Sequence, residues 1–386
     1  MLYMGGCIAG RGGKGKMAKR DPLWALGTMS GTSLDGVDAA MILTDGTEIL
    51  DFGPSAYRPY TEGERSILRS ALGCWPGDPG VAEAARVVEE AHAEVMARFH
   101  GAQIAGFHGQ TLMHDPAQRR THQVGDGQLL AQILNLPVVW DFRSADVQFG
   151  GQGAPLAPFY HFALARWIGA TRPVAFLNLG GVGNVTWVDP TARVAEVSGA
   201  LLAFDSGPAN APIDDLMRAQ FGVASDTDGA LAMTGTADQD LVTAFLQDGY
   251  FLKIPPKSLD RNHFAARLSA ITRLAPADAA RTLVACAAAA VARGADHFAA
   301  PVSRWLVCGG GRHNAAFMAE LTARLPGPVD AVEAAGLDGD MIEAQAFAFL
   351  AMRVMQGLPT SCPSTTGVPA AGGGGRISRP EPALIP

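Results

Sequence analysis

Met29-Ser30-Gly31-Thr32-Ser33-Leu34-Asp35-Gly36-Val37-Asp38 joins two apolar stretches, Leu23 to Leu26 before it and Val37 to Leu43 after it. An apolar run, a short polar segment and a second apolar run make the pattern of a strand, a tight turn and a returning strand. The segment holds two glycines, three hydroxyl residues and two carboxylates. Glycines let the backbone curl until successive N–H groups point inward, and the hydroxyls add donors. Such a turn can hold phosphate oxygens, and a carboxylate beside it can hold the Mg²⁺ that travels with a nucleotide. Asp-Gly also suits an ordinary hairpin loop, so spacing leaves a phosphate turn and a plain hairpin both open.

A second unit of the same kind runs from Val174 to Val188, with β-forming residues on both sides of Gly180-Gly181-Val182-Gly183. The two turns lie roughly 150 residues apart, about one domain. This spacing suggests a duplicated architecture with little duplicated sequence. Two glycine turns facing each other across a cleft could hold a nucleotide's phosphates between them; two unrelated hairpins is the alternative.

The composition narrows the class. A chain of 386 residues is long for one domain, and two are expected. With 48% hydrophobic and 17% charged residues it can bury a large core. The net charge of −7, with no sustained basic stripe, argues against nucleic acid as the main partner. Cys7, Cys74, Cys286, Cys308 and Cys362 are scattered and never in a Cys-x-x-Cys pair. They suggest reduced thiols in a cytoplasmic protein, with neither a disulfide framework nor a zinc site. No apolar stretch is long enough to predict a membrane span. Residues 1–20 carry Lys and Arg without an acid, and glycines interrupt any apolar core that a secretory signal would need. They read as a disordered extension or as a start site placed too far upstream. Residues 370–386, rich in Gly and Pro, read as a flexible tail.

Between the turns, Val81, Ala84, Ala85, Val88, Ala91, Val95 and Phe99 recur at helical spacing, which predicts an amphipathic helix over 81–99. Ile104 to Thr111 reads as a short strand entering a polar glycine turn, His108-Gly109-Gln110-Thr111. Thr282 to Ala300 reads as a buried Ala-rich helix. It leads to the strand Arg304 to Cys308, which enters Gly309-Gly310-Gly311 ahead of a helix from Ala315 to Leu325. Met341 to Met355 reads as a further core helix. Strands alternating with helices indicate an α/β class. Asp205 follows an apolar strand and precedes a Gly-Pro turn, a strand-end position where catalytic groups often lie. An Asx turn or a cap for the segment Ile213 to Met217 explains it equally well.

The ten-residue run also resembles the ATP-binding signature of the anhydro-N-acetylmuramic acid kinases. These belong to the actin/hexokinase-like (ribonuclease H-like) superfamily of two-lobed phosphotransferases. Further motifs follow in the family's order from about Leu23 to about Gly367. The resemblance implies an α/β chain with an N-terminal lobe over 21–145, a C-terminal lobe over 146–369 and a cleft between them. It implies Mg²⁺·ATP held by Gly31, Thr32, Ser33, Leu34, Asp35, Gly36, Val37 and Asp38, by Asn178, Gly180, Gly181 and Asn184, and by Gly309, Gly310, Gly311 and Asn314. Asp35 or Asp38 would reach the Mg²⁺ directly or through water. Asp205, in a motif that the family writes Asp-Thr-Gly-Pro-Gly-Asn, would be the catalytic base. Here Ser206 replaces Thr and Ala209 replaces the second Gly. Arg312-His313-Asn314-Ala315 likewise replaces a common x-x-Asn-Pro.

Glu343 matches a family acid at a helix start, near the base; a carboxylate merely stabilised by the helix N-terminus is the plain alternative. His108, Gln110 and Thr111 match a motif lining the sugar site. Arg143 would grip the lactyl carboxylate through two hydrogen bonds, its alternative being a salt bridge with Asp141 or Asp146. The implied reaction opens 1,6-anhydro-N-acetylmuramic acid with water and phosphorylates oxygen-6. It yields N-acetylmuramic acid 6-phosphate and ADP, a step in peptidoglycan recycling. Relatives imply a homodimer. A simple amino-sugar kinase of the same fold and a non-enzymatic, actin-like ATP binder are the alternatives.

Overall fold

The computed structural model describes residues 21–381 except Thr32, so the expectations for residues 1–20, Thr32 and residues 382–386 lie outside the described residues. In chain order the strands are β1 (Leu23–Ser30), β2 (Gly36–Thr44), β3 (Ile49–Pro59), β4 (Ile104–Asp115), β5 (Arg120–Val124), β6 (Val138–Trp140), β7 (Val174–Leu179), β8 (Val182–Val188), β9 (Leu201–Pro208), β10 (Trp305–Cys308), β11 (Val329–Ala331) and β12 (Arg376–Ser378). They form two sheets. One has the order β12-β6-β4-β1-β2-β3, with β5 on β4, and the other has the order β11-β10-β7-β8-β9.

The two sheets repeat one plan. β1-β2-β3 and β7-β8-β9 are antiparallel meanders. β4 and β6 then add in parallel on the far side of β1, as β10 and β11 do beside β7. Parallel addition needs a helical crossover, which explains the strand–helix alternation in the sequence. The two sheets are thus two copies of one α/β plan, as the spacing of the two strand–turn units suggested.

Each half ends in a helix packed toward the other half. Helix Pro158–Trp167 follows the first sheet's strands but packs against β8 and β9. Helix Ile342–Met355 follows the second sheet's strands but lies on β1, β2 and β4. It sits so close that a Cβ on Gly27 would fall 1.9 Å from the Ala344 carbonyl oxygen, and one on Gly106 would fall 2.1 Å from that of Phe347. Only glycine permits that approach. The two helices meet at a Tyr160 hydroxyl–Gln345 hydrogen bond of 2.8 Å. One apolar core runs from Ala25 and Ile42 through Phe347 and Phe159 to Phe176 and Val188, tying the sheets together. Helix Ile342–Met355 thus lies within the range 146–369 but packs on the first sheet, because its small residues fit that sheet's glycines.

The tail is corrected in the same way. Residues 376–378 are not a loose end but form β12, antiparallel to β6. The Trp140 indole N–H donates to Ser378 Oγ at 3.0 Å, and Arg376 pairs with Asp141 at 3.0 Å. The outer face of the first sheet is covered by helix Val81–Met96, through Val88, Ala91 and Val95 against Leu26, Ala39 and Phe107. The Ala-rich helix spans Pro276–Gly294, earlier than its composition indicated, because Pro276 sets its first turn. Among the described residues no helix is long and apolar enough to cross a membrane, and Cys74, Cys286, Cys308 and Cys362 are free thiols.

Candidate active site

Three strand-ending turns open into one cleft of about 680 Å³ between the sheets. Gly31, Ser33 and Asp35 reach it from the β1–β2 turn, Gly180 and Gly181 from the β7–β8 turn, and Gly309 and Gly310 from the chain after β10. The symmetric topology brings these turns to the same place, since β1, β7 and β10 all end at the cleft. Their shapes are locked from behind. Leu34 N–H closes the first turn onto Gly31 O at 3.1 Å, and Asn210 N–H donates to Gly180 O at 2.9 Å. Gly309 has φ +72°, and a Cβ there would fall 2.2 Å from Asn178 Oδ1.

Asp205 stands inside β9, not at its end. It pairs with Asn184 where the β8–β9 register shifts after Gly183. The segment after Tyr250 holds it. Asp205 N–H donates to Lys257 O at 2.9 Å, Leu259 N–H donates to Asp205 Oδ2 at 2.8 Å, and the Tyr250 hydroxyl donates to Asp205 O. Among the described residues Oδ1 has no hydrogen-bond partner, and the residue lines the cleft. Burial lifts its carboxyl to about 7, against the opposing pull of the Leu259 N–H. A carboxylate in that range is matched to proton removal near neutral pH.

Acids gather on the facing wall. Asp38, Asp35, Asp340 and Glu343 all line the cleft. Burial pushes Asp38 up to about 7, and the charges of Glu343, Asp340, Asp338 and Asp35 push the same way. Asp340 is anchored by the buried Arg312 at 2.8 Å, which also binds Glu333 at 2.8 Å. Among the described residues no group of three or more His, Cys, Asp or Glu side chains forms a metal cage. The arrangement suits Mg²⁺, which takes one or two carboxylates and completes its shell with phosphate oxygens and water. A cation there would offset both the burial and the carboxylate repulsion that raise Asp38. Glu343 accepts from Asn178 Nδ2 at 3.1 Å, bridging the two sheets, and burial raises its carboxyl while Arg143 and Asn178 oppose the rise.

The remaining wall carries His108, Thr111, His114, Gln123, Arg143, His161 and Ser258. Arg143 donates from Nε to His108 Nε2 at 3.0 Å and from Nη1 to Gly153 O at 2.7 Å. Neither expected acid takes it. Asp141 pairs with Arg376, and Asp146 accepts from Gly153 N–H at 2.6 Å and from the Thr366 hydroxyl at 2.6 Å. Among the described residues, Arg143 Nη2 has no hydrogen-bond partner.

The sequence profile of the anhydro-N-acetylmuramic acid kinases matches residues 24–378 of this chain. The chain belongs to that family. Relatives bearing the same name are 65% identical in Cereibacter sphaeroides, over 95% of this chain and 98% of the relative. In Ruegeria sp. the identity is 57%, over 95% and 97% of the two chains, and in Roseobacter denitrificans it is 56%, over 96% and 98%. The chain therefore spans nearly the whole length of these kinases.

Set against this family's motifs, the geometry sorts the expected residues. Gly31, Ser33, Asp35, Asp38, Asn178, Gly180, Gly181, Asn184, Gly309 and Gly310 line the cleft, as do Asp205, Glu343, His108, Thr111 and Arg143. Leu34 and Val37 instead point into the first lobe's core, and Gly36 is pressed against Tyr57. Asn314 is not at the cleft surface: its Oδ1 caps helix Ala315–Arg324 by accepting from Phe317 N–H at 3.1 Å. Gly311 packs on Leu179. His108 to Thr111 form no turn. They lie within β4, where the pairing with β1 shifts register between Thr28 and Ser30. That bulge turns Gln110 away from the cleft and onto Ser30 Oγ, at 2.5 Å. The sequence reading missed His161, stacked on Phe176 and bonded to Thr186 Oγ1 at 2.9 Å. It also missed the whole 250–259 brace. A histidine in an apolar helix and a lysine after two prolines carry no local signal of either role.

Proposed function

We propose that this chain is an ATP-dependent anhydro-N-acetylmuramic acid kinase that opens the 1,6-anhydro bridge with water as it phosphorylates oxygen-6. The reading is carried by Asp205. It lines a cleft that has glycine turns on one wall and Arg143 on another, and its Oδ1 has no partner among the described residues. In this scheme Asp205 accepts a proton from a water whose oxygen bonds to carbon-1. The carbon-1–oxygen-6 bond breaks, oxygen-6 bonds to the γ-phosphorus of ATP, and ADP leaves with the β–γ bridging oxygen. The phosphoryl group traps the leaving oxygen, so no protein acid needs to protonate it. The glycine turns hold the phosphates by backbone N–H groups, which avoids burying extra cations. Arg143 presents two donors to the lactyl carboxylate. Asp35 and Asp38 would hold Mg²⁺, which supplies charge neutralisation on the phosphates when bound. Glu343 orients the sugar beside the base.

Family membership supports a cytoplasmic, homodimeric enzyme of cell-wall recycling that uses Mg²⁺·ATP. The test is turnover of ATP and the anhydro sugar in ¹⁸O-water. The expected result is ADP and a sugar phosphate labelled at carbon-1. Phosphorylation only of an intact sugar, with no label incorporated, would make this a simple amino-sugar kinase. No turnover with any sugar would leave an ATP binder.

A further inference from the structure

The geometry points to His108 as a positioning residue that fixes the Arg143 guanidinium with its Nη edge toward the cleft, and not as a ligand of the sugar; this rests on the reading of Arg143 as the carboxylate grip. His108 is 3% exposed, and its ring lies 4.6 Å from that of Phe347. Its Nδ1 lies 2.8 Å from Gly109 O. A carbonyl oxygen can only accept, so Nδ1 carries the proton. Nε2 of the neutral ring is then a bare acceptor, and it faces Arg143 Nε at 3.0 Å, a group that can only donate. The two contacts require the same tautomer and use both ring nitrogens. No ring nitrogen of His108 remains for a sugar hydroxyl.

Protonating Nε2 would set a proton against the Arg143 N–H. Burial and the Arg143 charge both hold the imidazole well below its ordinary range, which keeps the acceptor bare. Gly109, at φ +73° in the β4 bulge, turns its carbonyl back onto the ring that precedes it. The short bulge that removes Gln110 from the cleft therefore also sets the His108 tautomer.

Arg143 is thus held at two points, Nε by His108 and Nη1 by Gly153 O, and Gly153 is itself tied to Asp146. What remains among the described residues is Nη2 and one proton of Nη1, and the Nη1–Nη2 edge of a guanidinium is spaced to meet two carboxylate oxygens. Without His108 the guanidinium could pivot about Gly153 and lose that aim. The histidine would then be felt in sugar binding and not in phosphoryl transfer.

The test is a kinetic cycle of His108→Leu, Arg143→Lys and the double variant, with His108→Gln as the rescue, because its Oε1 can stand near the Nε2 position. His108→Leu should raise the sugar KM about tenfold, with kcat and the ATP KM within about twofold of the parent. His108→Gln should recover most of the loss, and His108→Leu should add less than about twofold on top of Arg143→Lys. Additive penalties, failure of the Gln rescue, or a kcat loss at unchanged KM would each overturn the proposal. An unchanged sugar KM in Arg143→Lys alone would instead remove the carboxylate role of Arg143, and with it the premise. Ring ¹⁵N shifts of the parent enzyme test the tautomer without any variant. Nδ1 protonated and Nε2 bare is expected across neutral pH, and the reverse tautomer would overturn the assignment even if the leucine variant does not fold.

Discussion

Gly31, Gly180 and Gly309 approach the cleft on turns that each belong to one contiguous strand–turn unit, whereas Arg143 approaches it on a side chain held by His108 from one strand and Gly153 from a separate loop. The glycine wall is backbone, and its shape is set by main-chain hydrogen bonds, from Leu34 onto Gly31 and from Asn210 onto Gly180, and by the left-handed φ of Gly309. The arginine wall is side chain, and its shape is set by partners distant in sequence. The first kind of site tolerates changes around it, and among these three glycines Gly309 is the one that leaves no room for a Cβ. The second kind is sensitive to residues that never meet the ligand.

Four variants would break or sharpen that contrast. Asp205, which neither wall contains, should give the largest effect: Asp205→Asn is expected to lower kcat about a thousandfold while ATP still binds, read by steady-state kinetics and nucleotide titration. Near-normal turnover would remove it as the base. Next, Arg143→Ala should raise the sugar KM about a hundredfold and leave the ATP KM unchanged, which assigns that wall to the sugar. A parallel rise in the ATP KM would dissolve the contrast. Gly309→Ala should do the reverse at smaller scale, about a tenfold rise in the ATP KM. The added Cβ meets Asn178 Oδ1 and forces a left-handed backbone. Gly310→Ala, where a Cβ meets no protein atom within 4 Å, is its steric control.

The smallest effects concern pH. Asp205 must be ionised to accept a proton, so kcat/KM should rise with pH through about 7 and level off above it. Stability runs the other way. The folded carboxyl holds its proton more tightly than the unfolded one, so stability is lost as pH rises from the ordinary carboxylate range to about 7. Asp205→Asn should therefore be more stable than the parent at pH 8, by about 1 kcal/mol because the carboxylate is partly open to cleft water, and equal to it near pH 4. Paired thermal melts at the two pH values read this directly.

How far the sequence reached follows the same contrast. Both strand–turn units and helix Val81–Met96 were legible, because turn chemistry and helical periodicity act over a few residues. The partners of Arg143 were not. The nearby Asp141 and Asp146 were the obvious partners, but Arg376 and Thr366 with Gly153 occupy them. Gln110 was read as a sugar contact because nothing local shows that Ser30, on β1, would take it. The Tyr250–Leu259 brace on Asp205 was invisible for the same reason.

By itself, then, the sequence left Asp205 open between a base and a cap until the family resemblance was added, but it determined the α/β plan and the glycine turns. These depend on backbone freedom and local pattern, which short segments encode. Only the tertiary structure decided which polar side chains are free to meet a ligand and which are spent on one another. A hydrogen-bonding group buried in a fold must find a partner, and that partner comes from whatever segment the chain brings next to it.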